Sequence, residues 1–212
     1  MKLLFNHASP FARKCRVLAI ELDIAERIDW QDVGAVSPLE SNEYLFAHNP
    51  LGKLPVLKIS DRQVLCDSRV ICEYMLEFEC NLTAQARREL HFGDLHLQAL
   101  ADGLMDAALL IRYEVMLREP NQQWQAWQKK QWFRIGRVLA EVETNLNDFE
   151  RDGIGFSVLE GRFTLGQIAL VCALGYLVFR FPEYKWRNEY VALSSWFDFQ
   201  SVRKSVKQTA PY

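Results

Sequence analysis

The sequence lacks a surplus of either charge. Its 212 residues include 25 Lys and Arg against 27 Asp and Glu, which gives a formal net charge of −2. A basic face for nucleic acid, or a polybasic segment for an anionic membrane, would usually shift this balance. We therefore expect neither nucleic acid nor a membrane among the partners of this protein.

A long hydrophobic run is also missing. The longest, at 168–179, has 12 residues, whereas a transmembrane helix needs about 20. Residues 1–7 contain polar side chains too early for a secretion signal, and basic residues follow them closely. We expect a cytoplasmic protein in which 168–179 forms a buried helix.

Paired cysteines and metal-ligand patterns are absent too. The five cysteines, at positions 15, 66, 72, 80 and 172, form neither a CxxC pair nor a zinc-ligand spacing, which predicts reduced thiols. His91 and His96 are five residues apart on a predicted helix and so do not share a face. No metal site is expected.

The sequence does contain enough apolar material for a core. Half of its residues are apolar and a quarter are charged, as in ordinary globular proteins. A chain of this length fits one large domain or two small domains that share an interface.

The pattern up to residue 79 alternates between short strands and helices. In chain order it predicts a strand at 2–5, a helix at 10–22, a strand at 27–33, a weak helix within 37–49, a hairpin at 55–59 and 63–66, and a helix at 67–79. This order, with a parallel pair of strands first and an antiparallel hairpin after it, is thioredoxin-like.

Beyond residue 80 the pattern is helical. It predicts helices at 84–118, at 121–151, from 165 onward and at 188–200. Thr164 and Gln167 have the spacing of a capping box, and Phe163 can pack on Ile168 as a hydrophobic staple. We expect an α/β domain at 1–79, a linker at 80–85 and an all-helical domain at 86–212.

Three motifs carry a resemblance to a known family. They are Ser9-Pro10-Phe11 at the start of the first helix, NPLGKLPVL at 49–57 before the third strand, and Asp67-Ser68 at the start of the third helix. In this order and spacing they resemble cytosolic-type glutathione S-transferases of the serine type, and ALADGLMDA at 99–107 resembles a bacterial subgroup. The resemblance implies a thioredoxin-like α/β N-terminal domain, an all-α C-terminal domain, and a detoxifying transferase. It also implies a homodimer across the third and fourth helices.

Ser9 is the candidate catalytic residue. It precedes Pro10, which suits the first helical position, so the Ser9 hydroxyl and the amides that follow it lie at the positive end of the helix dipole. From the residues alone, Ser9 is either a helix cap or a donor to an anion. The resemblance implies the donor. Its anion would be the thiolate of glutathione, a co-substrate whose thiol resembles a cysteine side chain with a pKa of about 8.5. We interpret the amides of Phe11 and Ala12 as free to support the same charge.

The resemblance also implies which residues hold glutathione. The Leu54-Pro55 bond is expected to be cis, so that the Leu54 backbone pairs with the cysteinyl part of glutathione. Lys53 would contact the glycyl carboxylate, and Phe11 is placed in the same site. Asp67 and Ser68 would receive the ammonium and carboxylate groups of the γ-glutamyl end.

The acceptor pocket is expected between the two domains, on the resemblance alone. It would be formed by Phe11 and by side chains of the helix at 84–118, namely Met105, Asp106, Leu109, Arg112 and Tyr113. Because Arg112 or Asp106 could receive a polar group, the electrophilic small molecule need not be purely apolar.

Two other function classes stay open. A non-catalytic adaptor or regulatory protein could keep this fold, although such relatives usually have eroded glutathione motifs. A glutathione-dependent thiol reductase or peroxidase is the second alternative, but a reductase would need a cysteine where Ser9 stands. Cys15 lies about 240° around the helix from Ser9 and is interpreted as core packing.

Overall fold

The computed structural model describes residues 1–79, 84–147 and 163–211. These residues form two compact units. One lies within Met1–Thr83 and also includes Lys204–Tyr212, and the other lies within Ala84–Arg203. The predicted linker at 80–85 falls largely outside the described residues.

The first unit contains a four-stranded sheet flanked by helices. Its strands are β1 (Lys2–Phe5), β2 (Asp29–Asp32), β3 (Val56–Lys58) and β4 (Val64–Cys66), and its first three helices are α1 (Pro10–Glu21), α2 (Glu43–Phe46) and α3 (Ser68–Glu79). The strand order is β2-β1-β3-β4, with β1 and β2 parallel and the other two pairs antiparallel. The predicted thioredoxin-like order is therefore confirmed.

Of the weak helix predicted within 37–49, only the single turn of α2 is observed. The Ser37 hydroxyl accepts hydrogen bonds from the amides of Leu39 and Glu40, at 3.2 Å each, and this local turn competes with a helix. Asn42 then caps α2 by accepting a hydrogen bond from the Leu45 amide at 2.9 Å. Helical structure therefore begins only at Glu43.

The C-terminal segment belongs to the first unit, although the sequence analysis grouped it with the helical domain. It contains α9 (Lys204–Gln208), which packs against α1. Arg13 is 5% exposed and donates to the Val206 carbonyl at 3.0 Å and to Thr209 Oγ1 at 3.4 Å. A buried guanidinium needs such acceptors, so Arg13 ties the segment to α1.

All the regular secondary structure in the described part of the second unit is helical. Its helices are α4 (Ala84–Leu117), α5 (Gln125–Asn147), α6 (Leu165–Arg180), α7 (Trp186–Glu189) and α8 (Val191–Ser201). The last residues of the helix predicted at 121–151 lie outside the described part, and the helix predicted at 188–200 is divided at Tyr190 into α7 and α8. In the described ranges no helix is long and apolar enough to cross a membrane.

The start of α6 confirms the predicted capping box. Thr164 Oγ1 accepts from the Gln167 amide at 3.3 Å, and Gln167 Oε1 accepts from the Thr164 amide at 3.4 Å. The Gly166 amide donates to Asp94 Oδ1 of α4 at 2.7 Å, and a Cβ at Gly166 would lie 2.5 Å from the Asp94 carbonyl oxygen. Glycine therefore allows α4 and α6 to approach closely, and residues 165–177 of α6 are buried.

Candidate functional site

The pairing register brings three predicted site segments to one edge of the sheet. Leu4 near the end of β1 pairs with Val56 at the start of β3, and Val56 pairs with Cys66 at the end of β4. The chain before β3 and the chains after β1 and β4 therefore emerge at the same edge. Ser9, the Leu54–Pro55 bond and Asp67 lie in those segments.

Ser9 is the N-cap of α1. Its backbone is extended, and its Oγ accepts a hydrogen bond from the Ala12 amide at 3.2 Å. The expectation that the Ala12 amide is free is therefore wrong, because the cap uses that amide. A hydroxyl has two acceptor lone pairs and one proton, so the Ser9 proton stays available for a further acceptor.

Asn6 and His7, which sequence reasoning did not select, lie in the loop that leads to Ser9. The Ser9 amide donates to Asn6 Oδ1 at 2.7 Å, which fixes the turn that leads into α1. His7 Nε2 lies 3.5 Å from Asp32 Oδ2, and its Nδ1 lies 3.5 Å from Arg16 Nη1. Burial first, and the Arg16 charge second, lower the pKa of His7 although Asp32 acts in the opposite sense, so His7 is neutral at pH 7.

The loop before β3 is organised by Asn49, which is 1% exposed. Its Nδ2 donates to the Lys53 carbonyl at 2.8 Å, and its Oδ1 accepts from the Leu51 amide at 3.0 Å. Gly52 has a φ of 60°, and a Cβ there would lie 2.8 Å from the Phe46 ring. The loop thus needs glycine at position 52 and a side-chain amide at position 49.

The Leu54–Pro55 bond is cis, as predicted. Pro55 is buried, and the Leu54 side chain packs on the cluster formed by Leu4, Leu45 and Val56. Because strand pairing begins only at Val56, the backbone of Leu54 lies beyond the ladder. Its amide and carbonyl are therefore not used in the pairing of β3 with β1 and β4.

Asp67 and Ser68 begin α3. Asp67 is exposed, and its Oδ1 caps the helix by accepting from the Arg69 amide at 2.8 Å. Its φ is 71°, a left-handed conformation that costs free energy for most residues with a side chain and is less costly for Asp and Asn. Ser68 is 4% exposed.

The middle of α1 lies beside the start of α3. Cys15 Sγ is 3.9 Å from the Ser68 carbonyl oxygen and 3.7 Å from Cys72 Sγ. Both thiols are fully buried, so the interpretation of Cys15 as core packing is confirmed. Cys66, at the end of β4, is partly exposed, whereas Cys172 is buried.

Five predicted pocket residues lie on α4 in the second unit. Met105 is fully buried, Leu109 and Arg112 are half-buried, and Asp106 and Tyr113 are exposed. Positions 105, 109 and 112 share one face of the helix, as do 106, 109 and 113. The other predicted contacts, Phe11 and Lys53, are half-buried and exposed respectively in the first unit.

Comparison with known proteins gives two family matches. Residues 8–77 match the glutathione S-transferase N-terminal domain, and residues 121–199 match the glutathione S-transferase C-terminal domain. The chain is also 30% identical over 212 residues to an uncharacterized GST-like protein, YibF, of Escherichia coli (strain K12), covering all of this chain and 98% of that protein.

Two solved structures from Pseudomonas fluorescens Pf-5 are similar over the whole chain. A glutathione transferase family member with bound glutathione is 36% identical, with a TM-score of 0.86 over 100% of this chain and 98% of that one. A structure with bound S-(propanoic acid)-glutathione is 36% identical, with a TM-score of 0.82 over the full length of both chains.

Proposed function

Since the chain belongs to the glutathione S-transferase family, we propose that it conjugates glutathione to an electrophilic small molecule, with Ser9 stabilising the attacking thiolate. The observation that carries the proposal is the position of the Ser9 hydroxyl. It caps α1 with a lone pair and so keeps its proton for the glutathione sulfur.

The energetics of this arrangement suit the reaction. A hydrogen bond to a charged acceptor contributes about 1.5–3 kcal/mol, and the helix dipole adds about 0.3–1 kcal/mol. Each 1.36 kcal/mol lowers the pKa of the thiol by about one unit. A thiol with an ordinary pKa of about 8.5 therefore becomes largely ionised at neutral pH. The thiolate then attacks the electrophilic carbon and displaces its leaving group.

The remaining glutathione contacts are proposed for residues near the same end of the sheet. We propose that the Leu54 backbone pairs with the cysteinyl residue and that Lys53 binds the glycyl carboxylate. Asp67 pairs with the γ-glutamyl ammonium, while Ser68 binds its carboxylate at the start of α3. Pro55 and Phe11 complete the glutathione site by packing.

The thiolate itself provides the test. Thiolates absorb ultraviolet light more strongly than thiols, so a pH titration of the protein with bound glutathione should give a thiol pKa at least one unit below that of free glutathione. The same preparation should conjugate a chloronitrobenzene and release chloride. An unchanged thiol pKa in bound glutathione would contradict the assignment of Ser9.

Two measurements separate the alternatives. A non-catalytic adaptor would show no calorimetric binding of glutathione and no retention on immobilised glutathione. A thiol reductase would yield a mixed disulfide with glutathione in mass spectrometry. Among the four cysteines in the described residues, Cys66 is the position to inspect first, because Cys15, Cys72 and Cys172 are buried.

We also propose a homodimer across α3 and α4. Each of these helices exposes a large apolar side chain, Val70 at 48% and Phe92 at 72%, and apolar surface of this kind favours association. Sedimentation at micromolar concentration should give a dimer, and a monomer would contradict this proposal without affecting the proposed reaction.

A further inference from the structure

Between positions 129 and 137, α5 exposes only cationic and aromatic side chains. The exposed residues in this range are Lys129, Lys130, Phe133, Arg134 and Arg137, whereas the others are buried or half-buried. At about 100° per residue, these five positions fall within an arc of about 140° around the helix and extend for about 12 Å along its axis. They form one surface, which we call the basic face of α5.

The four cations of the basic face are not neutralised by nearby acids. The sequence contains no Asp or Glu between positions 120 and 140. Among the described residues, no ion pair joins any of these cations to a carboxylate. Glu141, four residues beyond Arg137, instead accepts a hydrogen bond from Asn145 Nδ2 at 3.2 Å. The positive charge of the face is therefore free to attract an anionic partner.

Apolar rings accompany these charges. Phe133 is 60% exposed, and Lys130 Nζ lies 5.1 Å from the centre of its ring. Trp127 is two helical turns before Arg134 and so adjoins the edge of the basic face. Trp124, which is 65% exposed, stacks on Trp127 with the ring centres 6.3 Å apart. Cations and exposed aromatic rings thus share one surface of the second unit.

The balance of charge over the whole chain conceals this surface. Its four cations leave 21 Lys and Arg against 27 Asp and Glu in the rest of the sequence, so the remainder is acidic. Such a distribution turns the basic face toward an anionic surface even when the net charge is small and negative. The expectation of no membrane partner rested on the sum of the charges alone.

The form of the basic face favours a bilayer over a nucleic acid. Four to eight Lys and Arg on an amphipathic helix are typical of binding to anionic lipids, and aromatic side chains are enriched at the level of the headgroups. Proteins that hold single-stranded nucleic acid use a positively charged groove along the strand. The basic face is instead the convex outer side of one helix.

We propose that the basic face of α5 binds the anionic headgroups of a lipid bilayer, so that the protein attaches reversibly to a membrane surface that it does not span. The cations pair with lipid phosphates, and Phe133 inserts its ring among the headgroups. This attachment is separate from the proposed reaction, because none of these residues belongs to the proposed glutathione site.

Binding to lipid vesicles tests the proposal. The wild-type protein should sediment with vesicles of phosphatidylglycerol and phosphatidylcholine in equal amounts, and should stay in solution with vesicles of phosphatidylcholine alone. Binding should weaken as the ionic strength rises, because salt screens exposed charges. Failure to bind the anionic vesicles, or equal binding to both kinds, overturns the proposal.

A triple variant tests whether the basic face is the binding surface. It combines Lys129→Gln, Lys130→Gln and Arg137→Gln, and it retains Arg134 because Arg134 donates to the buried Gln131 at 2.9 Å. Each cation near an anionic bilayer contributes a factor of about 5 in affinity, so the variant should bind the anionic vesicles about 100-fold more weakly. If it does not fold by circular dichroism, Lys129→Gln with Lys130→Gln, expected to lose about 25-fold, decides the matter.

The matched control removes three exposed cations outside α5. It combines Arg62→Gln, Lys204→Gln and Lys207→Gln, so its net charge equals that of the α5 variant. Its affinity for the anionic vesicles should stay within about 3-fold of the wild type, because these cations lie outside the basic face. An equal loss in the two triple variants would show that only net charge matters, and it overturns the proposal.

The ring of Phe133 has its own test. Phe133→Ser keeps every charge but should weaken binding to the anionic vesicles about 3- to 10-fold, because less apolar area enters the headgroup region. Phe133→Trp should keep the wild-type affinity, and its added fluorescence should shift to shorter wavelength when the vesicles bind. Wild-type affinity in Phe133→Ser contradicts insertion of the ring.

Nucleic acids also carry phosphates, so they are the competing ligand. A DNA duplex and a single-stranded RNA are titrated at the same ionic strength as the anionic vesicles, with every concentration expressed per phosphate. The wild-type protein should bind the vesicles more tightly than either nucleic acid. Tighter binding of the DNA or the RNA overturns the bilayer as the partner of the basic face.

Discussion

The starts of α1 and α6 are capped in nearly the same way but differ in one residue. In each, an extended N-cap residue accepts a hydrogen bond from the amide three positions on, at 3.2 Å to Ser9 and 3.3 Å to Thr164. In α6 the third residue is Gln167, which returns a hydrogen bond to the Thr164 amide. In α1 the third residue is Ala12, whose side chain cannot accept a hydrogen bond from the Ser9 amide.

The amide of Ser9 is satisfied from the opposite direction. It donates to Asn6 Oδ1, upstream of the helix, so no side chain from the first turn bridges back to the cap. The side chains at the start of α6 bond to each other, whereas the Ser9 hydroxyl at the start of α1 keeps its proton for another acceptor. One kind of cap therefore serves stability in one unit and, by our proposal, anion binding in the other.

The largest expected effect comes from removing the two cap hydroxyls separately. Ser9→Ala and Thr164→Ala should each lower the free energy of unfolding by about 1 kcal/mol. Only Ser9→Ala should also reduce turnover, by about 10- to 100-fold, because it loses about 1.5–3 kcal/mol of anion stabilisation. Thermal unfolding and conjugation of a chloronitrobenzene are measured for both.

Thr164→Ala is thus the control for any loss of activity that follows from instability. Wild-type turnover in folded Ser9→Ala, or an equal loss in the two variants, would remove the distinction between the two caps.

At the start of α3, the effect of the Asp67 charge can be separated from the effect of its helix cap. Asp67→Ala loses the cap and places alanine at a left-handed φ, so it should destabilise the protein by about 2 kcal/mol. Asp67→Asn keeps the cap and tolerates that backbone, so stability should stay within about 0.5 kcal/mol of the wild type.

Both Asp67 variants should raise the KM for glutathione about 3- to 5-fold, because an exposed pair with the ammonium is worth up to about 1 kcal/mol. A wild-type KM in Asp67→Asn would show that Asp67 only caps α3.

The contrast between these helix starts also shows what sequence can reveal. The capping box of α6 is local, the order of strands and helices along the first 79 residues follows from periodicity, and the start of α1 follows from Pro10, so all three were predictable. The cis Leu54–Pro55 bond was expected only through the family resemblance, because X-Pro bonds are usually trans. The left-handed φ of Asp67 leaves no mark in the sequence, since Asp is also a common ordinary cap.

Most of the features that could not be predicted from the sequence are contacts between residues far apart along the chain. Arg13 lies in a helix that periodicity predicted, yet its acceptors near Val206 are 193 residues away along the chain. Tyr176 lies within the apolar run at 168–179 that predicted a buried helix, but the packing of that helix, α6, along α4 depends on the folded chain. Asn49 lies in the NPLGKLPVL motif at 49–57, but its role in holding the loop depends on three-dimensional geometry.

A smaller effect is expected at Asn6, which holds the Ser9 amide. Asn6→Ala leaves that amide without its side-chain partner, so the free energy of unfolding should fall by about 1 kcal/mol. The kcat/KM of conjugation should fall about 3- to 10-fold because the hydroxyl is less well positioned. Asn6→Ser, which can make the same kind of turn less strongly, should recover part of both losses.

The readout that separates positioning from simple instability is the thiol pKa of bound glutathione. It should rise in Asn6→Ala and not in Thr164→Ala, although both variants are destabilised to a similar degree. A thiol pKa that is unchanged in Asn6→Ala would mean that the Ser9 hydroxyl does not depend on the upstream turn.

The smallest effect is expected at Gln167, the residue that makes α6 differ from α1. Gln167→Ala removes the return bond to the Thr164 amide, which costs about 0.5–1 kcal/mol, and Gln167→Glu should keep stability because its carboxylate can accept the same bond at a helix N-terminus. Neither variant should change kcat, the KM for glutathione or the pKa of its bound thiol. A change in any of these would show that the start of α6 influences the reaction, and capping at Thr164 could then no longer be separated from function by the identity of the third residue.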